Sequence, residues 1–181
     1  MDAVLFVDSD CVFLSPPDEV FDYIYRFHPK QIMGIVAEAE RKGEGFYNDA
    51  FLVRSKYSFY GVAGLNTGVM VLNLKEMRRL RVENHLMDIH HEFNGTFIVG
   101  DQDMLNIYLN RTPEQVFVLP CEYNYRTDHC QGLTSCSASN GVKIMHASRL
   151  SGFIFQTIIF GRIYKAFLKV SLRLFLSLIH I

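Results

Sequence analysis

Asp8 and Asp10 flank Ser9 directly after the apolar run Ala3–Val7. Two carboxylates in an irregular turn can converge on one hard divalent cation, and that cation can hold a diphosphate. The other reading of the triplet is an Asx turn, with either aspartate capping the helix that follows. His146 closes a short strand, Val142–Met145. A histidine at a strand end beside two aspartates would complete a mixed oxygen and nitrogen shell suited to Mn2+. Alone, it reads as a structural histidine.

Two further polar groups interrupt apolar stretches. Leu65-Asn66-Thr67-Gly68 is a small turn running into a strand at Val69–Leu72, and Gly68 lets backbone come close to a ligand. In GDQDMLNIYL, Gly100 to Leu109, Asp101 is placed to cap a helix. Capping does not explain Gln102 and Asp103 equally well, since a first turn aimed at a cleft directs polar side chains toward a ligand.

These groups need a scaffold. The uninterrupted run Ala3–Val7 reads as a strand buried on both faces, as in a parallel sheet covered by helices, whose ligands bind outside the carboxyl ends of strands. Asp18–Phe27 has helical apolar spacing with acidic residues in its first turn, and Gln31–Ala37 is a second buried strand. Glu38–Ser58 is long and polar but carries aromatics, and reads as a flap over a cleft or a surface loop pinned by a few rings. Lys75–Asn84 and His85–Phe93 are helical runs, and Gln115–Leu119 is a strand. His85, His90 and His91 do not share one helix face and are not candidate ligands.

The 181 residues, 49% hydrophobic and 20% charged, suffice for one core and one domain. A net charge of -1 supplies no basic field for a nucleic-acid partner. Of the four cysteines, Cys130 and Cys136 close a short loop, HCQGLTSC, that suits a disulfide clip in an oxidising compartment; a pair of free thiols is the alternative. The sequons at Asn94 and Asn110 agree with a secretory location, although Pro113 disfavours the second.

FVDSD, GLNTGVMVLN, GDQDMLN, PCEYNYR-DHC and IMH, in this order from about Ala3 to Arg149, resemble the family 8 glycosyltransferases. PCEYNYRTDHC and the GFYN at Gly45–Asn48 look most like the glucoside xylosyltransferases. The resemblance implies an α/β fold of GT-A type, a UDP-sugar donor, Mn2+ and retention of anomeric configuration. It further implies UDP-xylose as donor, an O-linked glucose on EGF-like repeats of a glycoprotein as acceptor, and a type II membrane protein of the endoplasmic reticulum or Golgi. By the same likeness Asp8, Asp10 and His146 match metal ligands. Asn66, Thr67, Gly68 and Asn124 match the sugar pocket, and Asp101, Gln102 and Asp103 match the segment beneath the sugar, in positioning and charge stabilisation. Where many relatives follow the histidine with Gly and Lys-Pro-Trp, this chain has Ala147-Ser148-Arg149, and Arg149 is the substitute contact to the diphosphate. Another UDP-sugar as donor, or an inactive binding fragment, is the alternative.

Only Met1 and Asp2 precede the first strand, so the chain reads as a catalytic domain, residues 1–175, lacking its N-terminal part and any anchor. Arg162, Lys165, Lys169 and Arg173 recur at helical spacing, which suits a late helix packed on the sheet better than a helix lying on a membrane. LSLIHI, 176–181, reads as a non-native tail and carries no weight in the fold.

Overall fold

The computed structural model describes residues 2–48 and 58–148, with 161–163, 165, 166 and 169 beyond them. The chain is mixed α/β, built on two small sheets. In chain order the strands are β1 (Val4–Val7), β2 (Cys11–Phe13), β3 (Met33–Ala37), β4 (Leu65–Leu72), β5 (Val116–Leu119), β6 (Tyr125–Arg126) and β7 (Ile144–His146). The helices are α1 (Asp18–Phe21), α2 (Leu74–Arg79), α3 (Val82–Glu92), α4 (Asp101–Arg111) and α5 (Thr127–Cys130). The first sheet runs β1-β4-β3-β5 and the second β2-β7-β6.

β4 is the central strand. Its side chains alternate between faces along Val69–Leu72, as the pleat requires, and an irregularity in its pairing with β3 returns Leu65 to the Met70 side. Leu65 and Met70 pack with Met33, Ile35, Ile89, Leu105 and Leu109 against α3 and α4. Val69 and Val71 pack on the other side with Val20, Val36, Leu119 and Ile144. Both faces of the sheet are therefore covered, and β4 has no solvent side along Leu65–Val71.

Several expectations change at this level. β1 pairs antiparallel with β4 and lies at the sheet edge; Leu5 and Val7 face the core while Phe6 is 41% exposed. A run of five apolar residues does not distinguish an edge strand from a buried parallel one, because only the partner decides it. The expected turn at Leu65–Gly68 is already strand. The helix expected at Asp18–Phe27 is one α turn continued as 3₁₀ helix over Asp22–Arg26. Two helices do occupy 74–92, but the break comes at Arg81, which adopts φ 52°, rather than after Asn84. The segment after β3 is no flap as far as Asn48: Glu38, Ala39 and Tyr47 are buried. Residues 49–57 of that expectation lie outside the described residues, as do Arg149 and most of the tail. The PCEYNYR loop is a buried 3₁₀ turn, Cys121–Asn124, followed by β6.

The disulfide joins Cys121 to Cys136, and Cys130 is a free thiol. Cys130 ends α5 and packs with Val12, Met145 and Tyr125, whereas the 3₁₀ turn brings Cys121 to a Cα–Cα distance of 5.6 Å from Cys136, within the reach of a bridge. Sequence spacing favours the shorter loop; the turn decides otherwise. Cys136→Ser is expected to destabilise the protein by about 3 kcal/mol in urea unfolding, the loop-closure value for a separation of 15 residues, while Cys130→Ser changes it by less than about 1 kcal/mol. Equal effects of the two would contradict this pairing.

Candidate active site

Two strand pairings build the site. β1 delivers Asp8, whose backbone N–H donates to Gly68 O of β4 at 2.9 Å. β2 pairs antiparallel with β7 so that Cys11 lies opposite His146, and Ala147 N donates to Asp10 O at 3.1 Å. Residues separated by most of the chain thus meet at one corner. His146 Nε2 lies 3.3 Å from Asp10 Oδ1 and 3.5 Å from Asp8 Oδ2.

The imidazole is buried, and its position depends on Gly68. A methyl group built at Gly68 would fall inside the ring, within 3.0 Å even of its Nε2. β4 can pass this close because its pairing with β3 is irregular here. Ile35 pairs with Met70 and the next residue, Val36, with Asn66, so Thr67–Val69 stand clear of the ladder. His146 Nδ1 is 2.8 Å from Asn124 Oδ1, and Asn124 Nδ2 donates to Asn66 Oδ1 at 2.7 Å. A ring whose Nδ1 is engaged by an amide oxygen turns its Nε2 lone pair outward, which is the arrangement of a metal-binding histidine.

A cavity of about 310 Å³ opens over this corner, lined by Asp8, Asp10, Glu38, Phe46, Asn66, Thr67, Val99, Asp101, Gln102, His146 and Ser148. Among the described residues it contains four carboxylates and no lysine or arginine. Burial pushes Asp8 above the ordinary aspartate range despite the pull of His146, with Asp10 and Asp101 adding to the rise. His146, whose Nε2 stands beside its carboxylate, holds Asp10 below that range. Such a field repels a bare diphosphate and attracts a cation.

Among the described residues, Asp10, Cys11 and His146 form a group close enough to share a metal; Asp8 is outside that group, its Oδ2 3.5 Å from His146 Nε2. Burial, reinforced by Asp10 and Asp8, pushes the Cys11 thiol up to about 12, and its Sγ donates to Gly68 O at 3.6 Å. The metal-free thiol is therefore protonated, and as a thiolate it would suit a soft cation rather than a hard one. The fitting donor set is Asp8, Asp10 and His146: hard oxygens with one imidazole, an affinity suited to Mn2+ or Mg2+.

Asn66, Thr67, Asp101 and Gln102 line the cavity as expected, whereas three residues do not. Gly68 lies beneath His146. Asn124 is wholly buried behind the ring and orients it instead of touching a ligand. Asp103 is also buried. Its Oδ1 accepts from Tyr47 Oη at 2.7 Å and its Oδ2 from the N–H groups of Ile98 and Val99 at 2.7 and 2.8 Å, so it ties the loop before α4 to the core. The helix cap is Gly100, at φ 68°, and Asp101 makes no capping hydrogen bond; its exposed carboxylate faces the cavity. Gln102 accepts from Thr67 N and donates to Glu38 Oε1, each at 3.2 Å.

The sequence reading misses Glu38, Tyr47, Asn106 and Arg126. Asn106 replaces a strand partner for Leu65, accepting from its N–H at 2.8 Å and donating to its C=O at 2.9 Å. Arg126 is buried against Glu38, at 3.2 Å, and Asp128, at 3.3 Å. Apolar flanks around a charged residue were the available signal for Glu38, since β3 runs straight into it.

The glycosyl transferase family 8 pattern matches residues 1–146. The chain belongs to glycosyl transferase family 8. It is 35% identical over 162 residues to rat glucoside xylosyltransferase 1, covering 82% of this chain and 36% of that protein. The chain therefore spans little more than a third of that relative. Among solved structures, mouse xyloside xylosyltransferase 1 in its apo form superposes with a TM-score of 0.58 at 23% identity, covering 82% of this chain and 58% of the mouse chain. Galactosyltransferase LgtC with donor and acceptor sugar analogues gives 0.58 at 18% identity, covering 82% and 53%. These likenesses fix the fold as part of a GT-A type domain.

Gly68→Ala is expected to dislodge the His146 ring and lower Mn2+ affinity by about 10- to 100-fold in calorimetry, with far-UV circular dichroism unchanged. The backbone at Gly68 does not itself demand glycine, so unaltered affinity would show that the ring is not a ligand.

Proposed function

We propose that the full-length protein transfers xylose from UDP-xylose to a glucose O-linked on EGF-like repeats of a glycoprotein, with retention of configuration. Membership of family 8 and the identity to glucoside xylosyltransferases support donor and acceptor class. The observation that carries the chemistry is the convergence of Asp8, Asp10 and His146 on one corner of an acidic cavity.

Those three residues would hold Mn2+, which when bound supplies a Lewis acid that offsets charge on the departing UDP. The protein's own part is orientation. Asn66, Thr67 and Gln102 form a polar floor whose amides are fixed by Glu38 and by the Thr67 N–H, so they meet sugar hydroxyls without reorganising. Asp101, exposed at the start of α4, places a negative charge where an oxocarbenium-like sugar would need it. Asp103 contributes by holding Ile98 and Val99, and Val99 closes one side of the cavity. Arg149, three residues after His146 in sequence, is the proposed contact to the diphosphate.

In a full-length protein assayed with UDP-xylose and a glucosylated EGF repeat, Asp8→Ala and Asp10→Ala are each expected to lower kcat by at least about 100-fold, the scale of a lost transition-state electrostatic contact. Competition with UDP-glucose, UDP-galactose and UDP-glucuronate tests the donor; efficient use of any of these in place of UDP-xylose would reassign it.

We further propose residence in the endoplasmic reticulum or Golgi as a type II protein, on the support of the disulfide and of the relatives. Among the described residues no helix is long and apolar enough to cross a membrane. Asn94 occupies an exposed turn after α3, at φ 50°, whereas Asn110 sits in the last turn of α4 with Pro113 after its sequon. Expression in secretory cells is expected to give one N-glycan, lost in Asn94→Gln and retained in Asn110→Gln, read as a glycosidase-sensitive gel shift. A chain without glycan would count against a luminal address.

A further inference from the structure

Glu38 belongs to none of the motifs of the sequence, yet it lies wholly buried at the cavity floor, immediately after β3. A carboxylate paired with a guanidinium accepts hydrogen bonds and has none to donate. Its Oε2 lies 3.2 Å from Arg126, and Arg126 Nη2 also donates to the Glu38 backbone carbonyl. Its Oε1 receives Asn66 Nδ2 at 3.0 Å and Gln102 Nε2 at 3.2 Å. Asn66 must then turn its oxygen the other way, where it accepts from Asn124 Nδ2 at 2.7 Å and from Gly68 N at 3.1 Å. Having directed its amide nitrogen to Asn66, Asn124 has only its oxygen for the His146 ring, 2.8 Å from Nδ1. That contact is a hydrogen bond only when Nδ1 carries the proton.

We propose that Glu38 is a positioning residue that sets the direction of the chain Glu38, Asn66, Asn124, His146 and so holds the neutral imidazole as its Nδ1–H tautomer. The amides of Asn66 and Asn124 can each be reversed without moving a heavy atom far; Glu38, which only accepts, imposes the direction together with the Gly68 N–H, which only donates to Asn66. The consequence appears at the opposite end. Nε2 presents a lone pair to the space between Asp8 and Asp10, although a proton there would find two carboxylate oxygens within 3.5 Å. The chain therefore opposes the local preference and keeps the ring ready for a cation. A second contact, from Asn124 Nδ2 to the Asn66 backbone oxygen at 3.5 Å, is too long to fix the amide by itself.

The inference rests on reading Asp8, Asp10 and His146 as a cation site, but its test does not depend on transferase activity. Two-bond 1H–15N spectra of histidine-labelled protein without metal, at about pH 8.5 where an ordinary histidine is neutral, report which nitrogen carries the proton. The wild type is expected to show His146 as Nδ1–H. In Glu38→Gln, Arg126 keeps the new amide oxygen on its own side and the NH2 faces Asn66, whose amide is then held in its old sense by the Gly68 N–H alone, so the chain is expected to invert and His146 to become Nε2–H. Mn2+ affinity then falls about 10- to 100-fold. Adding Asn124→Asp restores an obligate acceptor beside Nδ1 and is expected to restore the Nδ1–H signal. Asn66→Ala cuts the chain while leaving the Glu38–Arg126 pair in place, and covers the case in which Glu38→Gln does not fold; it is expected to give mixed tautomers. A wild type in the Nε2–H form, or an unchanged tautomer in folded Glu38→Gln or Asn66→Ala, overturns the proposal. A wild-type full-length protein without transfer activity, with these signals as expected, would count against the enzymatic reading alone.

Discussion

The site depends on a short pairing between strands from opposite ends of the described chain. β7 contributes three residues, Ile144–His146, and its antiparallel register with β2 sets His146 against Cys11 and next to Asp10. β1 and β2 belong to different sheets, so Asp8, Ser9 and Asp10 are the hinge between them. One aspartate takes its position from β4 through Gly68 O, the other from β7 through Ala147 N. Neither sheet alone defines the corner. Because β2 and β7 are too short to be stable in isolation, their register is held by what lies around them: Val12 and Met145 pack together, and Ile144 packs beneath the first sheet with Val69 and Val71.

Behind that corner the protein buries a cluster of polar groups, many of them tied to one another. Glu38 and Arg126 are both without exposure, and isolated charges there would be strongly destabilising. Their pairing removes much of that penalty without recovering all that hydrophobic side chains of similar volume would give. What the pair adds is direction. Asn66, Gln102, Asn106 and Tyr47 converge on the same region, and burial together with the Asp103 carboxylate keeps the Tyr47 hydroxyl protonated, so it always donates to Asp103. The amides that line the cavity are thereby held by groups that have one hydrogen-bonding role each.

Much of the scaffold was legible because it repeats patterns of period two and 3.6. The strands at Met33–Ala37, Val116–Leu119 and Ile144–His146 and the helix at Asp101–Arg111 lie where apolar spacing puts them. The pairing partners were not legible: β1 looks like a parallel strand from its residues and becomes an antiparallel edge because β4 lies beside it. For the cavity, residue type sufficed to bring together groups that reach solvent, as with Asp8, Asp10 and Asp101, which line it. It failed where a polar residue serves another polar residue. Asn124 and Asp103 share the chemistry of ligand-binding groups, but their partners are His146 and the Ile98–Val99 backbone, and only the packed structure reveals that. The cysteines show the same limit, since a 3₁₀ turn rather than loop length chooses the pair.

Cys11 bears on which metal the corner would suit. Its sulfur stands within the same small group as Asp10 and His146, and a thiolate there would recruit a soft cation such as zinc. Three features oppose ionisation: burial, the adjacent charges of Asp8 and Asp10, and the bond its thiol donates to Gly68 O, which ties the proton to the backbone of β4. Deprotonation would place a third negative charge beside two carboxylates and turn the Gly68 carbonyl from acceptor to repulsive neighbour. In the metal-free site the proton on sulfur is thus held by the same strand whose missing side chain admits His146. What faces the cavity is hard oxygen and one nitrogen, and a metal that prefers such donors and tolerates an open, water-accessible shell is the one the corner fits.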